Sequence, residues 1–239
     1  MPISTTYPPL YTISHPPPTL SKVAGPLPGN EETFLLFSAD RIPFRIPTHQ
    51  LATASTAFLS ASSLTRTGQR QLRFSDPRIE TSSILNPFSE LILDAGLSSP
   101  TLLKLNVATA TGLVRFLQKW DCPGLLRLAL ACMHHGYTAG AVKSWVIFMA
   151  ACVAEDADIV ASMLNDPRHG GWKREGLSKA ADDLTLDIDV RGYPFEWWAM
   201  VPARFQWAVG KAMTYGDKYP QSVRGRGDVF RELLKAAKA

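Results

Sequence analysis

Charge is scarce in this 239-residue chain: Asp, Glu, Lys and Arg make up 19% of it, against the roughly 25% of an average soluble domain. The shortage suggests a face covered by a partner or a second subunit, unless Ser and Thr supply the polar surface instead. Cysteine is scarcer still. Cys122, Cys132 and Cys152 are odd in number, form no C-x-x-C and sit in apolar helical patterns. That excludes a disulfide framework and reads as reduced core thiols in a reducing compartment. Long apolar runs are missing too. The longest, 145–154, is about half of what a bilayer-spanning helix needs. The chain opens on Pro-rich sequence rather than a basic-then-apolar signal. These absences point to a soluble intracellular protein, cytoplasmic or nuclear, with no membrane partner.

The chemistry of catalysis is also thin. The 16 glycines are scattered and none builds a phosphate-cradling loop. No G-x-S-x-G elbow occurs. His134 and His135 are adjacent, so on a helix they point about 100° apart and read as a helix-end surface pair. Asp182, Asp183, Asp187 and Asp189 lack the spacing of a calcium loop and read as a solvated acidic loop. Arg226-Gly227-Asp228 spells an adhesion tripeptide and reads as a coincidence of the tail. Trp197, Trp198 and Trp207 are not interleaved with basic residues, so they read as helix packing or a partner surface rather than a base-stacking platform. No nucleophile, base and orienting group assemble. The expectation is no enzyme, no catalytic residue, no metal and no cofactor.

What is present begins with a strand signal. Phe34 to Phe37 is an apolar run, Ala39-Asp40 can turn, and the next run alternates, with Ile42, Phe44 and Ile46 on one face and Arg41 and Arg45 on the other. That pattern predicts a hairpin. Pro43 and Pro47 lack the N–H a central strand donates, which makes the second strand an edge or a short one. Thr48 stands where a helix N-cap belongs, before Leu51, Ala54, Phe58 and Leu59. Downstream, Val107, Ala110, Val114 and Leu117 form a helical stripe. Asp121 is placed to cap, and Pro123 to open, the next helix, which is apolar nearly all round. Residues 144–153 are apolar on every face and predict a core helix. Asp156 opens another helix, and 195–215 a last strong one that Pro202 kinks or divides.

The order hairpin, His49, Leu51, Ser55, Phe58 resembles the BTB/POZ family, and looks most like its divergent fungal members. Leu72 to Asp76 looks like that family's third strand and Phe88 to Asp94 like the helix after it. Leu113 to Leu125, with Lys119-Trp120-Asp121 at its centre, looks like its helix–break–helix segment. Ala95-Gly96-Leu97 and the Ser/Thr-rich stretch 60–68 depart from the family's pattern. The resemblance covers about residues 31–136. It implies an α+β fold: a BTB/POZ-like small sheet with a helical cluster, followed by an all-helical C-terminal extension. The organisation read on this basis is a disordered Pro-rich leader at 1–30, the BTB/POZ-like domain at 31–136, a helical extension at 137–215 and a basic tail at 216–239.

The resemblance also implies a protein–protein interaction module. It would be a dimerising scaffold, pairing through the strands before Thr48 and the helix after it, or an adaptor that hands a partner to a cullin-type ubiquitin ligase. The residues implied for partner binding are His49, Leu51, Phe58, Phe74, Asp76, Phe116 and Trp120. The alternative is a chromatin- or nucleic-acid-associated regulator using the basic tail, from Lys211 through Lys238, against phosphates. The tail's density is low for that, and a solvated terminal helix is the preferred reading.

Overall fold

The computed structural model describes residues 32–63, 71–94, 101–166, 195–218 and 225–237. The Pro-rich leader, the 64–70 part of the Ser/Thr stretch, Ala95-Gly96-Leu97 and the acidic loop lie outside the described residues. From Glu32 onward the described chain is one compact α+β unit, mostly helical, with a three-stranded sheet and ten α-helices among the described residues.

The predicted hairpin forms from β1 (Thr33–Phe37) and β2 (Pro43–Pro47), antiparallel, with Leu36 opposite Phe44 and Phe34 opposite Ile46. The connection is closed by Ser38, whose N–H donates to the Ile42 carbonyl at 3.0 Å and whose hydroxyl oxygen accepts the Ile42 N–H at 2.8 Å. Arg41 takes φ 66° within it. The third strand is shorter than expected. β3 (Gln71–Arg73) pairs in parallel with β1, and Phe74 adds only an N–H to the Phe37 carbonyl. The order is β2-β1-β3, so β2 is an edge, where its two prolines leave no donor missing from a ladder.

The helix after β2 breaks at Ser55, which has extended backbone. This separates α1 (Thr48–Ala54) from α2 (Thr56–Ser63). The Ser55 hydroxyl oxygen accepts the Ala57 N–H at 3.0 Å, so the break doubles as the cap of α2. Thr48 is not the cap of α1. Its hydroxyl donates to the Glu32 carbonyl at 2.8 Å and pins the helix to the start of β1. α3 (Ser82–Asp94) starts six residues before the expected Phe88 and contains Pro87. A residue 42 positions away secures its first turn: Asp40 at the hairpin tip accepts the Ser82 N–H at 2.7 Å and the Ser82 hydroxyl. Burial opposes ionisation of Asp40, but these bonds, with Ser38, hold its carboxyl below the usual range.

α4 (Val107–Lys119) follows a 3-10 turn at Leu102–Lys104. Asn106 caps α4 by accepting the Thr109 N–H at 2.8 Å, and the predicted stripe of Val107, Ala110, Val114 and Leu117 is fully buried. α5 (Pro123–Thr138) opens on Pro123 as predicted, but Asp121 does not cap it. Asp121 turns the chain with φ 47°, and Cys122 occupies the cap position without a side-chain bond. In α6 (Ser144–Ala154) every residue from Val146 to Val153 is buried, as an all-round apolar helix requires. α7 (Ala157–Asn165) is capped by Asp156, which accepts from Asp158 and Ile159 at 3.1 and 2.9 Å.

The expected last helix is two. α8 (Phe195–Trp198) and α9 (Ala203–Lys218) flank Pro202, and the Gln206 amide clasps the junction by donating to the Trp198 and Val201 carbonyls. α10 (Arg226–Ala236) corrects the reading of the tail as a solvated helix. Phe230 and Leu234 are buried, and α10 packs on α7 and α9. Gly227 explains the tripeptide. Its N–H donates to Asn165 Oδ1 at 2.7 Å, and a Cβ there would overlap the Ala161 carbonyl, so only Gly lets α10 approach α7 this closely. The buried residues form one cluster running from Phe34 on β1 to Leu234 on α10, with α4 packed on α6 at its centre.

Candidate interaction surface

Four of the seven residues implied for partner binding meet in a ring cluster. Phe58 of α2 stacks on Trp120 at the end of α4, with centroids 4.8 Å apart and planes 4° from parallel. Phe74, just past β3, meets both Trp120 and Phe116 edge-on at 5.2 and 5.5 Å. Phe88 of α3 closes the group against Phe116 at 4.9 Å. Stacked and edge-to-face pairs are worth about 0.5–1.5 kcal/mol each beyond their burial.

The burial of these rings corrects the sequence reading. Leu51, Phe58, Phe74 and Phe116 are core residues, none more than 6% exposed, and cannot touch a partner. An apolar residue beside a motif looks the same in sequence whether its element's inner or outer face carries it. Asp76 and Trp120 are half-buried and His49 is exposed, so these three remain able to meet another molecule. His49 stands apart on α1, its carbonyl accepting the Thr53 hydroxyl at 2.9 Å.

Asp76 and Trp120 are brought together by a residue the sequence reading missed. Glu80, 2% exposed, lies between β3 and α3. Its Oε2 accepts the Ser75 and Asp76 N–H groups at 3.0 and 2.7 Å. Its Oε1 accepts the Trp120 indole N–H at 3.1 Å and the Lys119 ammonium at 2.8 Å. Its own carbonyl accepts the Ala39 N–H at 2.8 Å. An isolated buried carboxylate is costly, and here four donors satisfy it. Burial pushes against ionisation, yet Lys119, the two N–H groups and the indole together hold the Glu80 carboxyl below its ordinary value. The Trp120 carbonyl in turn accepts the Ser55 hydroxyl and, at 3.4 Å, the Cys122 thiol.

Above this network the accessible groups are Asp76, Lys119, Trp120 and Asp121, with Lys119 3.8 Å from Asp76. The strand end at Asp76 and the α4–α5 break at Lys119-Trp120-Asp121 are adjacent. The surface offers one ammonium, two carboxylates and an indole edge, a set suited to a polar protein contact.

The other groups singled out in the sequence lie elsewhere. His134 stacks against Tyr137 at 6.2 Å and His135 is exposed. Cys122, Cys132 and Cys152 are buried free thiols, and burial raises Cys122 to about 12. Trp207 is 45% exposed, whereas Trp197 and Trp198 are half-buried against the core. In the tail, Arg231 is engaged by Asp158 at 3.3 Å and Asp228 at 3.7 Å. Among the described residues no group of three or more His, Cys, Asp or Glu could hold a metal ion, and no helix is long and apolar enough to cross a membrane. Comparison of the chain with protein-family models, curated proteins and solved structures finds no match.

Proposed function

We propose that this chain is a protein–protein interaction module on a BTB/POZ-like fold. It acts as a dimerising scaffold or as an adaptor linking a bound partner to a cullin-type ubiquitin ligase. The observation that carries this reading is the order and pairing of elements: a hairpin feeding the α1–α2 pair, a third strand returning parallel to the first, then α3 and a helical hairpin broken at Lys119-Trp120-Asp121. On this reading the adaptor contact is the Asp76–Lys119–Trp120 surface, and the dimer contact is the exposed side of α1 around His49. The buried residues Leu51, Phe58, Phe74 and Phe116 set those surfaces without touching the partner.

Two measurements on the purified full-length protein test it: its mass in solution by light scattering, and its retention of a recombinant cullin amino-terminal domain. A dimer, or cullin retention that Asp76→Lys weakens by about tenfold or more, supports the module. A monomer that retains no cullin overturns it.

A further inference from the structure

The two faces of the sheet differ. Phe34, Leu36 and Ile46 point into the core, while Leu35 and Phe37 alternate to the other face and stay half-buried. Register fixes their neighbours. Leu35 lies between Arg45 of β2 and Gln71 of β3, and Phe37 between Pro43 and Arg73. The Arg73 guanidinium lies over the Phe37 ring, 4.9 Å from its centroid, which fixes the cation in the plane of this face. Arg45 is exposed on the opposite strand and Arg41 at the hairpin tip. Among the described residues no carboxylate pairs with Arg41, Arg45 or Arg73, although the nearby Asp40 is committed to Ser82.

The edge of β2 limits how this face can be used. The Glu32–Thr48 and Ser38–Ile42 pairs are hydrogen-bonded, at 2.9 and 3.0 Å. Bonded pairs alternate in an antiparallel ladder, so residues 43, 45 and 47 turn their backbone groups outward. Two of those three are prolines, which leaves the Arg45 N–H as the one donor an added strand would meet. A partner therefore gains little at this edge and must lie across the face.

We propose that the outer face of the sheet, with Leu35 and Phe37 between Arg45 and Arg73, docks an extended acidic segment of a partner protein. Strand spacings put the two arginine positions roughly 12 Å apart on the sheet diagonal. An extended peptide spans that in about four residues, with acids at the first and fifth positions and an apolar residue at the third, all on one side. The acids meet the guanidiniums, and the apolar side chain covers Leu35 and Phe37. A second copy of this chain fits poorly, because a two-fold contact would oppose arginine to arginine. Nucleic acid fits less well than peptide, since three arginines neutralise few phosphates. The inference rests on the interaction-module reading only for the expectation that the partner is a protein.

The test is fluorescence anisotropy of a fluorescein-labelled peptide of repeated Asp-Ser-Leu-Ser units, one face of which alternates Asp and Leu, titrated with the full-length protein at low salt. The expected result is a saturable rise. Arg45→Glu and Arg73→Glu should each weaken it by about tenfold or more, and Arg115→Glu, an exposed cation on α4, should leave it unchanged. Both sheet arginines are exposed, and circular dichroism checks that the variants stay folded. No binding by the wild type overturns the proposal, as does equal loss with Arg115→Glu. So does a labelled oligothymidylate that binds through the same arginines at least as tightly, or a wild-type dimer that the two substitutions dissociate. Failure here with cullin retention intact removes the docking face and leaves the module reading standing.

Discussion

Glu80 and Phe148 are both buried, at 2% and 0% exposure, yet they hold the molecule by opposite means. Around Glu80, on the sheet side, segments distant in sequence are joined by polar bonds: its carboxylate ties the end of β3 to the end of α4, and its backbone carbonyl holds the hairpin tip through the Ala39 N–H. Around Phe148, on the helical side, α6 buries every side chain from Val146 to Val153 in the apolar cluster. Polar bonds are directional and leave a penalty when half-broken, whereas apolar burial degrades in proportion to the volume removed. The sheet side should therefore respond to charge and pH, and the helical side to size.

The largest test removes one side from the other. A chain ending at Gly136 loses α6, against which α4 packs. It is expected to lose cooperative unfolding and to bind a hydrophobic dye; a sharp urea transition for this fragment would show two independent units instead. Next, Phe148→Ala should cost about 3–5 kcal/mol by cavity formation, read from the urea midpoint, with no dependence on pH.

Glu80→Gln should cost less, about 2–3 kcal/mol near neutral pH, because the partly exposed Lys119 can return to water. Its signature is the pH profile. The folded carboxyl is held below its ordinary value of 4.5. Its contribution is thus complete above that pH and is lost as pH falls through the folded value. The gap between wild type and Glu80→Gln should close in acid, while the gap for Phe148→Ala stays open; parallel profiles would break the comparison. Smallest, Trp120→Phe keeps the ring over Phe58 and loses the indole N–H to Glu80, an expected change of about 1 kcal/mol. In the Glu80→Gln background that substitution should cost measurably less, and a double-mutant cycle checks the coupling.

The residues that were legible in sequence are those whose periodicity is local. The alternation of Phe44 and Ile46 against Arg45, the stripe from Val107 to Leu117 and the unbroken apolar run of α6 appear in the structure as read, but Ile42, expected to share the face of Phe44 and Ile46, lies outside β2 and is 38% exposed. What failed was whatever depended on a distant neighbour. Thr48 and Asp121 look like caps by position, but Thr48 is drawn to the Glu32 carbonyl and Asp121 is turned by the α4–α5 break. The tail looked solvated because α10 is rich in charge, yet two apolar residues and a glycine at the crossing suffice to dock it. Of the seven residues implied for partner contact, four are core, since a sequence pattern marks an element without marking which face a neighbour will cover.

The sequence by itself determined the elements, the edge character of β2 and the core character of α6, because proline chemistry and hydrophobic periodicity act within a few residues. Only the tertiary structure decided that Glu80 is the polar centre of the sheet side and that Arg45 and Arg73 share one face of the sheet with Leu35 and Phe37. Those facts depend on Lys119 and Trp120 arriving 39 and 40 positions after Glu80, and on β3 choosing β1 as its neighbour. Burial and electrostatics act through space, and contacts across such separations carry no local mark in the chain.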